Sequence, residues 1–213
     1  RSWTVLVNKQ DFVNSKSMCC ILAVNRSQPI QFANQWAIEW DSKCAAEILA
    51  MPNPPCLFND ITEFIRGPAH RHLVQNDSCC DALIQPSSIS LVAWCLTHMA
   101  YCTIAASDIH RAGSPCSDHS TFGTQKRFQG KRAKYFFIWC ALMNRILPKL
   151  VIHENVVGFG DQELRKHLGS FFFVTRLVIK VETQGWANTR NRQTCICVLK
   201  TFLQPVLMDH GGS

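Results

Sequence analysis

Apolar and polar positions along the chain fall into two kinds of segment. Short runs rich in β-branched and aromatic residues read as strands: "WTVLV" (Trp3 to Val7), "WAIEW" (Trp36 to Trp40), "KLVIHEN", "FFFVTRLVIKV" and "QTCICVLK". Other segments repeat their apolar residues every three or four positions, as a helix with one buried face requires. "AKYFFIWCALMNRIL" is the clearest of these, with Pro148 as its stop. "SMCCILAVN" predicts a short helix opened by Ser17, and "DSKCAAEILA" one capped by Asp41 or Ser42. The prolines of "PNPPCLFND" end that helix and lead into a strand, "ITEFI" begins another helical turn, and "DQELRKHL" predicts a polar helix. The uncharged stretch "SISLVAWCLTHMAYCTIAAS" reads as a buried helix followed by a strand, "SDIHRAG" carries the chain onward, and residues 67–88 read as irregular. Strand and helix in alternation predict an α/β fold with a mostly parallel sheet and helices on both faces. Such sheets bind ligands at the carboxyl ends of their strands.

Composition narrows the picture. At 213 residues, with 47% hydrophobic and 17% charged positions, the chain can bury one large core and is not of disordered type. The long uncharged stretch carries His98 and polar residues and lacks the solid apolar block of a membrane span. The start of the chain shows no signal peptide, and its first residue is Arg1, as in a fragment. The net charge of +7 favours a partner carrying phosphates, with basic residues gathered in "TQKRFQGKRAKY" and "NTRNRQ". Twelve cysteines without a secretory signal fit a reducing, intracellular setting and free thiols. Neither "HRH" with "SCC" (His70, His72, Cys79, Cys80) nor "CLTHMAYC" (Cys95, His98, Cys102) makes a clean CxxC…CxxC set. Buried apolar cysteine is the favoured reading, and no metal site is expected.

Three stretches hold candidate chemistry. "AGSPCSDHSTFG" places Cys116 on a loop after a strand, with Pro115 stiffening the approach. A free thiol titrates near pH ~8.5, and the nearby Lys126, Arg127, Lys131 and Arg132 favour its thiolate. From this stretch alone, nucleophile and inert loop cysteine are equally open. "VIHENVVGF" ends an apolar strand on Glu154 and Asn155, at the rim or aimed into a ligand crevice. In "GWANTRNRQTCICVL", Arg190 and Arg192 lie two apart on an extended segment and point the same way, as a pair of planar donors or as part of a solvated turn.

In that order the three stretches resemble the DNA cytosine-5 methyltransferase family. "SPCSDHSTFG" looks like its nucleophile motif, "HENVVGF" like its Glu-Asn-Val motif, and "GWANTRNR" like its Gln-x-Arg-x-Arg motif, with Asn188 and Ala187 where glutamine and proline are usual. Upstream, "AIEWDSKCAAEIL" resembles the motif whose acidic residue binds the ribose of S-adenosylmethionine, and "LFNDITEF" the Asp-Ile motif that meets the adenine. The resemblance implies a Rossmann-like S-adenosylmethionine-dependent methyltransferase acting on carbon 5 of cytosine in DNA, with RNA as the other candidate polymer. It implies Cys116 as nucleophile at carbon 6, Glu154 as donor at ring nitrogen 3, and Arg192 as holder of the base's carbonyl oxygen. Glu39, Trp40, Asp60 and Ile61 would bind the cofactor. Pro115, Ser117, Ser120, Asn155 and Arg190 would meet the substrate or brace the loop around a flipped-out base. The location implied is the nucleus if the source is eukaryotic.

The chain departs from the family at two places. The family's Phe-x-Gly-x-Gly loop is replaced by "VLVNKQDFVNSKSMCC", and no glycine precedes Gly67, so Gln10, Phe12 or Asn14 would crowd the methionine end of the cofactor. The target-recognition region is expected to be absent. The resulting expectation is one catalytic domain over residues 1–213, with 67–106 as an insertion. Two rival readings remain: a non-catalytic descendant that binds nucleic acid or a protein, and a zinc-organised interaction module built on His70, His72, Cys79 and Cys80.

Overall fold

The computed structural model describes residues 35–76, 84–115, 119, 125–179 and 192–203. The predicted elements Trp3–Val7 and Ser17–Asn25 lie outside them. β1 (Trp36–Ile38) leads into α1 (Ser42–Leu49). Asp41 caps that helix: its Oδ1 accepts the backbone N–H groups of Lys43 and Cys44 at 3.0 and 3.2 Å. β2 (Cys56–Phe58) is followed by a 3-10 turn over Ile61–Phe64, where the Asp60 side chain accepts the Thr62 amide. α2 (Gly67–Asn76) comes next. It occupies part of the stretch expected to be irregular, because a Gly-Pro pair reads as a turn yet suits the first turn of a helix equally well.

The stretch expected as helix then strand is instead a hairpin, β3 (Val92–Cys95) and β4 (Ala100–Thr103). Its apolar pattern misleads because the solvent face is apolar too. Val92, Trp94 and Tyr101 are exposed, and Trp94 and Tyr101 pair across the strands with their rings edge to face at 5.4 Å. β5 (Ile109–Gly113), α3 (Ala133–Ile146), β6 (Leu150–Val156), α4 (Gln162–Leu168), β7 (Phe172–Ile179) and β8 (Arg192–Leu199) complete the described chain. Leu147 ends α3 in a left-handed conformation (φ 53), immediately before Pro148.

The fold is α/β, as expected, but its sheets are mixed rather than mostly parallel. One runs in the order β1-β2-β3-β4 and the other β5-β6-β8-β7. Among the described residues, only β1 with β2 and β5 with β6 pair in parallel, and the other four strand pairings are antiparallel. The hairpin accounts for the difference in the first sheet. In the second, β8 inserts antiparallel between β6 and β7. That insertion has a functional consequence. The amino end of β8 arrives at the same edge as the carboxyl end of β6, with Arg192 opposite Val156.

One core joins the two sheets. α3 is buried along nearly its whole length, from Phe136 through Met143, as befits a helix apolar on every side. Trp139 on α3 donates through Nε1 to Nε2 of His110 on β5 at 3.0 Å, and Trp36 on β1 lies 5.0 Å from the His110 ring, centre to centre. Trp36 also donates to the carbonyl of Ala105 at 3.0 Å, which ties β1 to the segment entering β5.

Candidate active site

A cavity of about 250 Å³ opens where β1, β2 and β5 end. Its walls are Ile38 and Trp40 after β1, Asn59, Asp60 and Ile61 after β2, Pro115 after β5, and Arg132 and Tyr135 at the start of α3. Three residues expected to bind cofactor, Trp40, Asp60 and Ile61, therefore share one cavity with Pro115, the residue before Cys116. The reason is topological: parallel strands β1 and β2 put their carboxyl ends side by side. Trp40 is half exposed, which leaves its ring open at the wall. Asp60 accepts the Thr62 amide at 2.8 Å through Oδ1. Glu39 behaves differently from its neighbours. It is fully buried, and its Oε1 accepts the Asp41 amide at 2.9 Å, so it shapes the turn out of β1.

Glu154 projects from β6 between two guanidiniums. Its Oε1 lies 3.3 Å from Nε of Arg192 on β8, and its Oε2 lies 3.4 Å from Nη2 of Arg111 on β5. Glu154 is 40% exposed at the side chain, so the group is held on both flanks yet open to solvent. The predicted carboxylate and guanidinium are thus brought together. Arg111 was missed by sequence reasoning; its only signal is that it lies in the strand leading to Cys116.

A buried network fixes the loop that follows β5. Asn155 donates through Nδ2 to the Ser114 hydroxyl at 2.7 Å and to the Ser114 carbonyl at 3.2 Å, while its Oδ1 accepts the Val156 amide at 2.8 Å. Ser114 Oγ also lies 2.9 Å from Nε2 of His153. Burial, together with repulsion from His119, pulls the His153 imidazole down to about 3, so it is neutral here. Asn155, expected to meet the substrate, also braces Ser114, two positions ahead of Cys116. Further along the same loop, the His119 ring packs 4.6 Å from both Phe128 and Phe159. A Cβ added at Gly158 would come 2.8 Å from the His119 carbonyl oxygen, so glycine is what lets the two segments meet.

Cys116, Ser117, Ser120 and Arg190 lie outside the described residues, as do Cys79 and Cys80. His70 and His72 stand on α2. Ile38, Asn59, Arg132 and Tyr135 are wall residues that sequence reasoning passed over; Arg132 was noticed only as one charge in a basic run.

The sequence profile of C-5 cytosine-specific DNA methylases matches residues 96–205. That range contains the cysteine loop, "HENVVGF" and Arg192, while the cofactor-side residues Glu39 to Ile61 precede it. No curated protein sequence matches the chain. Among solved structures, the chain is similar to an E. coli prophage protein described as a DNA modification methyltransferase, at 13% identity and a TM-score of 0.49, over 80% of this chain and 41% of that one. It is also similar to the Entamoeba histolytica methyltransferase EhMeth (15% identity, TM-score 0.39, 80% of this chain and 54% of that one). The S. pombe Dnmt2 methyltransferase matches at 20% identity and a TM-score of 0.36, over 43% of this chain and 30% of that one. This chain therefore spans well under two thirds of these proteins. Among the described residues no helix is long and apolar enough to cross a membrane. With the profile covering more than half the chain, this protein belongs to the C-5 cytosine-specific DNA methylase family.

Proposed function

We propose that this chain is the catalytic core of a DNA cytosine-5 methyltransferase, which transfers a methyl group from S-adenosylmethionine to carbon 5 of cytosine. The observation that carries this reading is the cavity, where Trp40, Asp60 and Ile61 stand beside Pro115. An indole ring, two isoleucines and a carboxylate suit a purine with its ribose. When bound, S-adenosylmethionine supplies an electrophilic methyl group on a sulfonium.

The chain's own residues do the rest. The Cys116 sulfur adds to carbon 6 of an extruded cytosine, which makes carbon 5 nucleophilic. Glu154, in its protonated carboxylic acid form, donates that proton to ring nitrogen 3 as charge builds on the ring, and Arg192 holds both Glu154 and the base's carbonyl oxygen. Loss of the carbon 5 proton then expels the sulfur and restores the aromatic ring. Asn155 and Ser114 set the direction in which the cysteine loop leaves β5. Ser117, Ser120 and Arg190 contact or brace around the nucleic-acid backbone, whose phosphates the net charge of +7 favours. Residues 67–106, whose described parts include α2 and the β3–β4 hairpin that extends the first sheet, form an insertion within one catalytic domain.

A second reading is favoured by one observation, that no glycine precedes Gly67. A chain unable to admit the methionine end of the cofactor would keep the fold and bind nucleic acid or protein without catalysis. Titration with labelled S-adenosylmethionine, followed by exposure to DNA carrying 5-fluorocytosine, decides between the two. The fluorine cannot leave in the final elimination, so an active enzyme stays attached. An adduct that disappears in Cys116→Ser establishes the first reading; absence of any cofactor binding establishes the second.

A further inference from the structure

Away from the cavity, at the opposite end of β2, four side chains meet that sequence spacing alone did not join. Cys95 ends β3, His98 sits in the turn, Cys102 lies in β4, and Cys56 begins β2. All four ligand-capable atoms lie within 4.8 Å of one another. Nδ1 of His98 is 3.5 Å from the sulfur of Cys56, 3.4 Å from that of Cys95 and 3.5 Å from that of Cys102.

Hydrogen bonding does not account for this arrangement. A ring nitrogen has either one proton or one lone pair, in the ring plane, and so can serve one sulfur well but not three. A tetrahedral ion does account for it. With zinc–sulfur bonds of about 2.3 Å and a zinc–nitrogen bond of about 2.0–2.1 Å, the nitrogen and each sulfur of a tetrahedron stand roughly 3.5 Å apart. The three nitrogen–sulfur separations match the corresponding edges of such a tetrahedron.

We propose that Cys56, Cys95, His98 and Cys102 form a structural zinc site that clamps the β3–β4 hairpin to the start of β2.

The surroundings support it. The turn is held against β2 independently of any ion: Leu96 donates to the Leu57 carbonyl at 2.7 Å, Thr97 donates to the Pro55 carbonyl at 2.6 Å, and the Leu57 amide donates to Thr97 Oγ1 at 3.2 Å. Met99 takes a left-handed conformation (φ 49) directly after His98, at the tip of that turn. Three thiols and one imidazole are a soft set suited to zinc, and four protein ligands leave no open position, so the site is structural rather than catalytic. Binding releases the thiol protons to solvent. Cys56 is what the CLTHMAYC spacing lacked; it comes from the other end of the cavity strand, whose carboxyl side carries Asn59, Asp60 and Ile61.

The site stands apart from the proposed methyl transfer and is tested without it. The full chain, purified under reducing conditions with zinc present, is expected to carry one equivalent of zinc by mass spectrometry of the metal. His98 is exposed, so His98→Ala should fold normally, by circular dichroism, while its zinc content falls at least about tenfold. His98→Cys, which restores a four-ligand set, should keep the metal, as should His70→Ala/His72→Ala. Cobalt added to the metal-free chain should give the intense visible bands of a tetrahedral thiolate site, and His98→Ala should abolish them. Wild-type chain without stoichiometric zinc, zinc retained in His98→Ala, or a weak octahedral cobalt spectrum would each overturn the proposal.

Discussion

Glu154 and Arg192 meet at 3.3 Å across β6 and β8, although one ends a parallel pairing and the other begins an antiparallel one. With Arg111 on the other flank, the carboxylate is fixed between two cations while remaining open to solvent. A carboxylate so placed adds little to stability, because exposed pairs contribute only about 0–1 kcal/mol. Its value lies in presenting a directed group. Glu154→Gln is therefore expected to leave the urea midpoint nearly unchanged while methyl transfer to cytosine-containing DNA falls about 10²–10⁴-fold. Activity within a few-fold of wild type would remove Glu154 from the chemistry.

Asn155 anchors the segment that leaves β5. Its Nδ2 and Oδ1 satisfy the Ser114 hydroxyl, the Ser114 carbonyl and the Val156 amide in a buried setting. Asn155→Ala strands those partners, with an expected loss of about 1–3 kcal/mol. Chemical denaturation followed by tryptophan fluorescence measures it. Retention of full stability would mean that the loop has another anchor.

Gly158 admits the cysteine loop. The 2.8 Å gap between a would-be Cβ and the His119 carbonyl cannot be closed by rotating a side chain, since the obstacle is backbone. Gly158→Ala should shift the loop at a cost of about 1–3 kcal/mol and reduce the yield of covalent adduct with 5-fluorocytosine DNA. An unaltered yield would show that His119 and Cys116 move independently.

The α/β class was legible in the sequence, and what was not legible has identifiable causes. Trp40, Asp60 and Ile61 follow parallel strands whose carboxyl ends lie side by side, as strand-end reasoning expects, whereas Arg192 reaches Glu154 from the amino end of antiparallel β8. The local hydrogen bonds of Glu39 and Asn155 were not legible, because a buried side chain turned onto the backbone looks the same in sequence as one turned outward. The β3–β4 hairpin was misread because Val92, Trp94 and Tyr101 face solvent, which erases the alternation that marks a half-buried strand. The sulfur cluster was discounted because its fourth member is distant in sequence, and only strand pairing of β2 with β3 brings Cys56 to it.

Two buried histidines make stability depend on pH. Burial holds His110 down to about 3, helped by repulsion from His153, and His153 is held at about 3 by burial and His119. In the unfolded chain each titrates near pH ~6.5, so below that value the unfolded state binds protons that the folded state refuses. Stability is therefore fully present above pH ~6.5 and is lost as pH falls toward ~3, by about 1.4 kcal/mol per pH unit for each histidine. Denaturation at neutral pH and near pH ~5 should differ by roughly 4 kcal/mol from these two groups together. His153→Phe should reduce that difference by about half. A stability flat across the interval would mean that neither imidazole is excluded from water.

Trp40 is the sharpest probe of the cavity. Its ring stands at the wall beside Asp60 and Ile61 and is half exposed, so truncation leaves the core untouched. Trp40→Ala should alter stability by no more than about 0.5 kcal/mol. Stacking of an aromatic ring on a base contributes about 1–3 kcal/mol, so the affinity for S-adenosylmethionine should fall roughly 5- to 150-fold. Calorimetric titration of both proteins, with S-adenosylhomocysteine as a second ligand sharing the same nucleoside, separates loss of the nucleoside contact from loss of the sulfonium. Equal weakening for both ligands places the adenine against Trp40. Unchanged affinity in the variant would move the cofactor out of this cavity, and the proposed alignment of cofactor, cysteine loop and Glu154 would fail with it.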